Sequence, residues 1–302
     1  GPEVERLTPR LRQTASSLLA IYGGMTVLEM AFLRIAGMNL YDALIHTFGS
    51  VATGGFSNRN LSVGAYQNPW IHYIILIFML LAGMNFSLFY KALTTRSLKH
   101  VFRDKEARLY LAIILVATLI IAANVYEELG LGEALHQGSF QVVSVITTTG
   151  YVTADFHRWP DLSRAVLLLL MFVGPCSGST GGSVKVIRYL VLFKSIFREV
   201  RRMIHAKAVL PLRVGDHVIP ENTVRTVLVF MLAYAGFALI GTFCLLGLGL
   251  DMLSSFSAVA ATLGNIGPGL GAVGPMFSYA LVPASGKMLL TILMLLGRLE
   301  IF

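Results

Sequence analysis

Long apolar stretches alternate with short charged ones along this chain. Six of them predict helices that cross a membrane, because each is about as long as the 17–25 residues that span a hydrocarbon core. The predicted spans are residues 17–35, 70–90, 109–125, 165–197 with a break at 174–182, 223–250, and 287–302.

Three further stretches are semi-apolar and too short to cross: residues 40–56, 134–152 and 252–270. Each opens at an acid (Asp42, Glu133, Asp251), continues as a short apolar helix and ends in a tip rich in Thr and Gly. Irregular backbone at membrane depth is tolerated only where it lines a watery cavity or is buried in protein. The pattern therefore predicts three re-entrant pore loops on the outer side, in three copies of a helix, pore loop and helix repeat.

Composition excludes a water-soluble domain. Hydrophobic residues make up 55% of the 302 positions and charged residues only 13%, against about 25% charged in soluble domains. The net charge of +8 is concentrated between apolar spans, as the positive-inside rule describes, and no aromatic–basic module for nucleic acid is present. The predicted segments are 1–16 (cytoplasmic), 17–90 (repeat), 91–108 (cytoplasmic, basic), 109–197 (repeat with broken helix), 198–221 (cytoplasmic, basic) and 222–302 (repeat, truncated).

The loop tips suggest cation chemistry. They occupy residues 50–56, 144–151 and 260–268, and the second contains Thr-Thr-Thr-Gly-Tyr, close to the Thr-Val-Gly-Tyr-Gly filter of potassium channels. Backbone carbonyls can replace the water shell of a potassium ion if glycine permits the required backbone angles. One such tip also fits an ordinary turn, but three tips, each behind a short helix and between two spans, favour a filter.

The tips, the Gly-rich break at 174–182 and the ending Gly-Arg-Leu-Glu-Ile-Phe at 297–302 resemble the Trk/Ktr/HKT superfamily of cation transporters, in particular its bacterial TrkH family. The resemblance covers essentially the whole chain. It implies an all-α integral membrane fold with four such repeats arranged pseudo-fourfold around one pore, and potassium uptake across the cytoplasmic membrane. Only three repeats are present, so the chain resembles a fragment that lacks the first repeat and cannot close the filter alone.

The resemblance also assigns site residues. The expected potassium-binding filter comprises Thr53, Gly54, Gly55, Phe56, Thr148, Thr149, Gly150, Tyr151, Asn265, Ile266, Gly267 and Pro268. The expected gate comprises Gly178, Ser179, Thr180, Gly181, Gly182, Lys185 and Arg298.

The gate residues also have a reading from their chemistry. A Gly-rich break in mid-span cannot be a regular helix in lipid and should face the cavity, although a kink for packing alone is an alternative. An intramembrane arginine such as Arg298 is costly and usually functional, and the resemblance implies an electrostatic barrier below the filter. Arg298 could instead extend to the membrane interface, and Lys185 to the cytoplasm. A nucleotide P-loop is excluded because Val184 precedes Lys185.

Two other classes of function compete with a pore. An alternating-access carrier coupled to sodium or protons predicts inverted repeats, whereas these repeats run in one direction. A membrane hydrolase needs a base beside Ser177 or Ser179, and the sequence suggests none, so we expect no enzyme.

The resemblance further implies a multi-pass protein of the cell inner membrane and a homodimer. It also implies a cytoplasmic, nucleotide-binding RCK subunit (TrkA-like) that regulates the gate. The basic segments could dock that subunit or anionic membrane lipid. Potassium ions are the only cofactor expected, with no organic cofactor and no nucleic-acid partner.

Overall fold

The structure is a computed structural model that describes residues 2–97, 99–205, 210–215 and 217–299. Parts of the predicted segments lie outside the described residues. They include residues 300–302 of the terminal motif, Leu98 in the first basic segment, and residues 206–209 with Asp216 in the second. The helices are α1 (Pro2–Ile35), α2 (Leu40–Val51), α3 (Pro69–Ala82), α4 (Phe86–Thr95), α5 (Lys99–Arg103), α6 (Lys105–Leu129), α7 (Leu131–Ile146), α8 (Asp161–Leu170), α9 (Val186–Ile204), α10 (Glu221–Gly247), α11 (Met252–Leu263) and α12 (Ala284–Leu299).

Short elements fill the connections. There are 3₁₀ turns at Ser62–Ala65, Phe156–Arg158, Gly271–Val273 and Tyr279–Leu281. Strands β1 (Arg213–Val214) and β2 (His217–Val218) form an antiparallel hairpin between α9 and α10. Apart from this hairpin and an isolated bridge between Val173 and Val184, the described residues form helices and their connections.

Three described helices are long and apolar enough to cross a membrane: the Ala15–Ile35 part of α1, Lys105–Leu129 and Glu221–Gly247. Most residues of these helices are not buried in protein, and they expose large apolar side chains such as Leu119, Leu232 and Phe243. Such surfaces are stable against lipid and not against water. The predicted all-α membrane protein is confirmed.

The three repeats are visible in the packing. Each short helix lies against the two elements that flank it in sequence: α2 against α1 and α3, α7 against α6 and α8, and α11 against α10 and α12. The short helices are the most buried part of the molecule, and in α11 every residue from Ser257 to Leu263 is buried. The centre of the protein is therefore built from segments too short to span it.

The prediction of one continuous helix over residues 70–90 is wrong. Helices α3 and α4 meet at an angle of 93°. Helix α3 ends at Gly83, and the side chain of Asn85 accepts a hydrogen bond from the Ser87 amide to begin α4. Asparagine is a strong helix N-cap, so the turn is encoded locally, but hydropathy alone does not register it.

The acids at the start of the pore helices also differ from expectation. Asp251 is the N-cap of α11, where its side chain accepts a hydrogen bond from the Ser254 amide. Asp42 and Glu133 instead lie inside the first turns of α2 and α7, whose N-cap residues are Asn39 and Gly130. All three carboxylates still lie at helix N-termini, where the helix dipole favours negative charge.

Candidate functional site

Three loops leave the C-terminal ends of α2, α7 and α11 along the same backbone path. Each has a non-glycine residue with positive φ and a glycine with positive φ two positions later. The pairs are Thr53 (52°) with Gly55 (66°), Thr148 (59°) with Gly150 (80°), and Asn265 (57°) with Gly267 (111°). A positive φ costs a residue with a Cβ roughly 1–3 kcal/mol, and such strain clusters at functional sites.

Hydrogen bonds establish the equivalence of the loops. The amides of Thr53, Thr148 and Asn265 donate to the carbonyl three residues earlier, at 3.0–3.1 Å. The next amide along each loop (Gly54, Thr149, Ile266) donates to the carbonyl five residues earlier, at 2.7–3.0 Å. The three tips therefore share one backbone structure although their sequences differ.

The loops lie side by side, and the glycines of the first two leave no space for a side chain. A Cβ on Gly55 would collide with the carbonyl oxygen of Thr149, and one on Gly150 with that of Ile266. At Gly267 a Cβ would meet nothing within 4 Å among the described residues. The loops thus follow one another in chain order, with the third loop's glycine facing open space.

Together the loops line a cavity of about 740 Å³. Of the twelve predicted filter residues, ten line it: Thr53, Gly54, Gly55, Phe56, Thr149, Gly150, Asn265, Ile266, Gly267 and Pro268. The structure therefore brings together residues that are up to 215 positions apart (268 − 53).

The other two predicted filter residues, Thr148 and Tyr151, lie behind the cavity wall and are buried. The hydroxyl of Tyr151 donates to the Phe56 carbonyl at 3.0 Å, and the ring stacks on His46. The carbonyl of Tyr151 accepts a hydrogen bond from the Ser144 hydroxyl at 2.6 Å, so it is directed back to α7. Tyr151 therefore braces the first two loops against each other.

The break between α8 and α9 folds back on itself. The Gly174 amide donates to the Val184 carbonyl at 2.8 Å, and the Val186 amide donates to the Pro175 carbonyl at 3.1 Å. These bonds close the base of a tight loop, residues 176–183, which we call the gate segment.

The gate segment lies directly against the pore-loop ends. The Gly182 amide donates to the Thr148 hydroxyl at 2.7 Å, and the Thr180 hydroxyl donates to the Val51 carbonyl at 2.9 Å. A Cβ on Gly182 would come within 3.0 Å of the Gly264 carbonyl, at the end of α11. The segment thus contacts the C-terminal ends of all three repeats' short helices.

The corner between α3 and α4 was missed from the sequence as part of the site. The Cys176 amide donates to the Gly83 carbonyl at 2.9 Å, and the Phe86 amide donates to the Gly178 carbonyl at 3.0 Å. Two breaks in two different spans therefore satisfy each other's free backbone groups, as membrane depth requires. Gly83 and Asn85 within an otherwise apolar span were the available signal.

The predicted gate cations also lie here. Arg298 donates to the Thr180 carbonyl at 3.1 Å and lines the cavity between the loops. It also lines a second pocket of about 460 Å³, with the gate segment, Lys185 and Arg188. The buried Lys185 ammonium donates to the Gly181 carbonyl. Positive charge therefore stands between the two cavities.

One buried acid beside the gate segment was also missed. Glu106, in the first turn of α6, accepts hydrogen bonds from the amides of Ser177 (2.7 Å) and Ile187 (3.0 Å) on one carboxylate oxygen. Glu106 lies in the segment 91–108, where basic residues dominate the sequence pattern. The sequence therefore indicates no separate role for this carboxylate.

Asp42 lies in the first turn of α2, at the end of this helix away from the gate segment. Its buried carboxylate accepts hydrogen bonds from Asn58 (2.6 Å), Arg59 (2.8 Å) and Tyr66 (2.7 Å). Burial acts to raise the pKa of Asp42, but these three hydrogen bonds, with that from Arg59 the strongest, hold it well below its usual value. Arg59 also lines the cavity between the loops, so this network shapes the cavity wall.

We expect Asp42→Asn to lower the free energy of unfolding by about 2 kcal/mol at pH 7, because hydrogen bonds to a charged group are lost. The folded-state pKa is depressed, so this stability is complete above the unfolded pKa of about 3.9 and is lost as the pH falls through the folded value. Thermal unfolding in detergent should show a difference in unfolding temperature between wild type and variant, and this difference should narrow below about pH 4. A difference that stays constant at lower pH would contradict the assignment. Asp161→Asn, at an exposed side chain, is the control and should change little.

Comparison with known proteins identifies the family. A family model described as "TrkH: Cation transport protein" matches residues 3–302. The chain belongs to this family of cation transport proteins. The description of this family names cation transport and no enzymatic reaction.

Individual relatives agree with that assignment. The chain is 40% identical to the Trk system potassium uptake protein TrkH of Salmonella typhimurium, over 98% of this chain and 62% of that protein. It is 34% identical to the Trk system potassium uptake protein TrkG of Escherichia coli K12, over 99% of this chain and 61% of that protein. The crystal structure of the potassium transporter TrkH from Vibrio parahaemolyticus superimposes with a TM-score of 0.90 at 37% identity, covering 97% of this chain and 64% of the other. The TrkH-family chain described here thus spans less than two thirds of these relatives.

Proposed function

We propose that this TrkH-family chain forms part of a pathway for potassium uptake, in which the three loops bind dehydrated potassium ions through backbone carbonyls. The observation that carries the proposal is the repeated pair of positive φ angles in three loops around one cavity. That backbone presents carbonyl oxygens where side chains would otherwise lie, and carbonyl rings replace the hydration shell of potassium. The C-terminal ends of α2, α7 and α11 lead into the loops, so their negative dipole ends favour a cation.

The gate segment and Arg298 would form the closed barrier below this filter. The segment is hydrogen-bonded across the pore-loop ends, and Arg298 places a positive charge on its Thr180 carbonyl. Two unit positive charges about 5 Å apart repel by about 3 kcal/mol at an effective dielectric constant near 20. A potassium ion would therefore pass only when the segment and the arginine move aside.

Potassium as the transported ion is supported by the relatives, which are named Trk system potassium uptake proteins. The word "system" in those names supports a partner subunit, which we propose to be a cytoplasmic, nucleotide-binding RCK ring of the TrkA type. We further propose a homodimer in the cell inner membrane. Arg201 and Arg202, in the last turn of α9, are exposed and suit either that subunit or anionic lipid.

The direct test is uptake of labelled rubidium and sodium into liposomes that contain the full-length protein, with and without its cytoplasmic partner. We expect rubidium uptake to exceed sodium uptake by about tenfold or more, since the carbonyl geometry favours the larger ion. Equal uptake of both ions would contradict a selective filter. Absence of flux for either ion under both conditions would contradict the pore and favour a carrier.

A further inference from the structure

Both ends of the gate segment are attached to one buried carboxylate. Ser177 lies at its beginning, and Ile187 lies in the first turn of α9, a few residues beyond its end. Their amides donate to the same oxygen of Glu106, at 2.7 and 3.0 Å. Residues ten positions apart are thereby held together by a side chain about 70 residues earlier in the sequence.

The two amides need this partner. The Ile187 amide is one of the N–H groups that the first turn of a helix leaves without an intrahelical acceptor. The Ser177 amide belongs to an irregular loop and donates its hydrogen bond to Glu106. Both bonds to Glu106 are partly buried, and hydrogen bonds to an ionised carboxylate are about twice as strong as those between neutral groups.

The carboxylate is itself held by a rigid element. Asp104 is the N-cap of α6, with its side chain accepting from the Ala107 amide at 2.8 Å. Helix α6 then continues for 25 residues and packs along α7 and α8. Glu106 therefore ties the gate segment to a membrane-spanning helix. None of the described residues of α6 lines the cavity between the loops or the pocket beside the gate segment.

We propose that Glu106 is a positioning residue that latches the gate segment in its closed position, an inference that rests on the proposed function of that segment. Movement of the segment out of the path must separate Ser177 from Ile187 or shift both away from α6. Either movement breaks at least one bond to Glu106. The latch therefore sets how often the gate opens, whereas the loops above set which ion passes.

The chain contains a natural reporter for this movement. Cys176, at the start of the gate segment, is buried, whereas the only other cysteine, Cys244, is exposed on α10. In a background in which Cys244 and any further cysteine of the full-length protein are replaced by serine, the rate at which a charged methanethiosulfonate reagent modifies Cys176 measures opening of the segment. This measurement does not depend on ion flux.

The test compares Glu106→Gln and Glu106→Ala with wild type in that background. We expect the Cys176 modification rate to rise several-fold in Glu106→Gln, which loses the charge, and about tenfold or more in Glu106→Ala, which loses both bonds. Basal rubidium flux should rise in the same order, with the rubidium-to-sodium ratio unchanged. Glu128→Gln, an exposed glutamate on the same helix, should leave both quantities at the wild-type values.

The outcomes separate the latch from the pore. Unchanged Cys176 modification and flux in both variants, with selective rubidium flux in wild type, would overturn the latch and leave the pore intact. A fall in the rubidium-to-sodium ratio together with the rise in flux would also overturn it, because it indicates general loosening. If the wild type carries no flux, the modification rates still decide the latch. If Glu106→Ala is not monodisperse in detergent, Glu106→Gln decides.

Discussion

Gly150→Ala should abolish most of the preference for rubidium over sodium, lowering the uptake ratio by about tenfold or more, which corresponds to about 1.4 kcal/mol of discrimination. Gly150 has a φ of 80°, and alanine in this left-handed region costs roughly 1–2 kcal/mol. The new Cβ would also collide with the Ile266 carbonyl oxygen, a member of the neighbouring loop. That carbonyl must move, and the spacing of oxygens around the ion changes with it. Gly150→Ser should behave in the same way.

Two matched glycines separate the causes. Gly267→Ala introduces the same kind of strain, at a φ of 111°, but without a collision among the described residues. It should therefore lower the ratio less than Gly150→Ala. Gly236→Ala, in the middle of α10 and with nothing within 4 Å, should leave the ratio unchanged and slightly favour the helix. An unchanged ratio in Gly150→Ala would contradict a role for this loop in selectivity.

Arg298→Gln should raise basal rubidium uptake by about a hundredfold, because the repulsion of about 3 kcal/mol between a guanidinium and a nearby cation is removed and each 1.4 kcal/mol is about a factor of ten in rate. The rubidium-to-sodium ratio should stay close to that of wild type, since the loops are untouched. Arg298→Lys retains the charge and should retain most of the barrier, although lysine lacks the fork-shaped geometry of arginine. The measurement is initial uptake into liposomes at matched protein content.

An exposed arginine of another helix provides the control for Arg298. Arg225 lies near the start of α10 on the surface, and Arg225→Gln should leave basal uptake unchanged. Uptake in Arg298→Gln that equals or falls below wild type would contradict an electrostatic barrier at this position. It would favour a role in holding the Thr180 carbonyl instead.

The proposed gate depends on contacts between two interrupted spans. The corner at Gly83–Phe86 and the gate segment exchange backbone hydrogen bonds, and Glu106 ties the segment to a third helix. Each of these elements would be unstable alone in lipid, because its free amides and carbonyls would be unpaired. Opening the gate must therefore replace these bonds with others, from water or from new protein contacts.

The sequence alone determined the elements that hydropathy and glycine report. Apolar length identified the three predicted spans that form long continuous helices, at residues 17–35, 109–125 and 223–250. The Thr/Gly tips behind short helices located the three loops, in which Gly55, Gly150 and Gly267 all have positive φ. The Gly-rich stretch lies between α8 and α9, where the backbone leaves helical geometry, and Arg298, singled out as a charge inside an apolar helix, lines both cavities. These signals are local, because transfer of a segment into lipid and the backbone freedom of glycine depend on the residues themselves.

Tertiary structure alone decided how these elements face one another. Three features depend on contacts that hydropathy does not report. They are the 93° corner between α3 and α4, the placement of Thr148 and Tyr151 behind the cavity wall, and the two hydrogen bonds accepted by Glu106. Hydropathy measures how much a segment prefers lipid, not the direction in which it turns or which backbone groups it leaves free. Those free groups are satisfied by other segments, so the proposed gate and latch depend on the folded arrangement and not on any one stretch of chain.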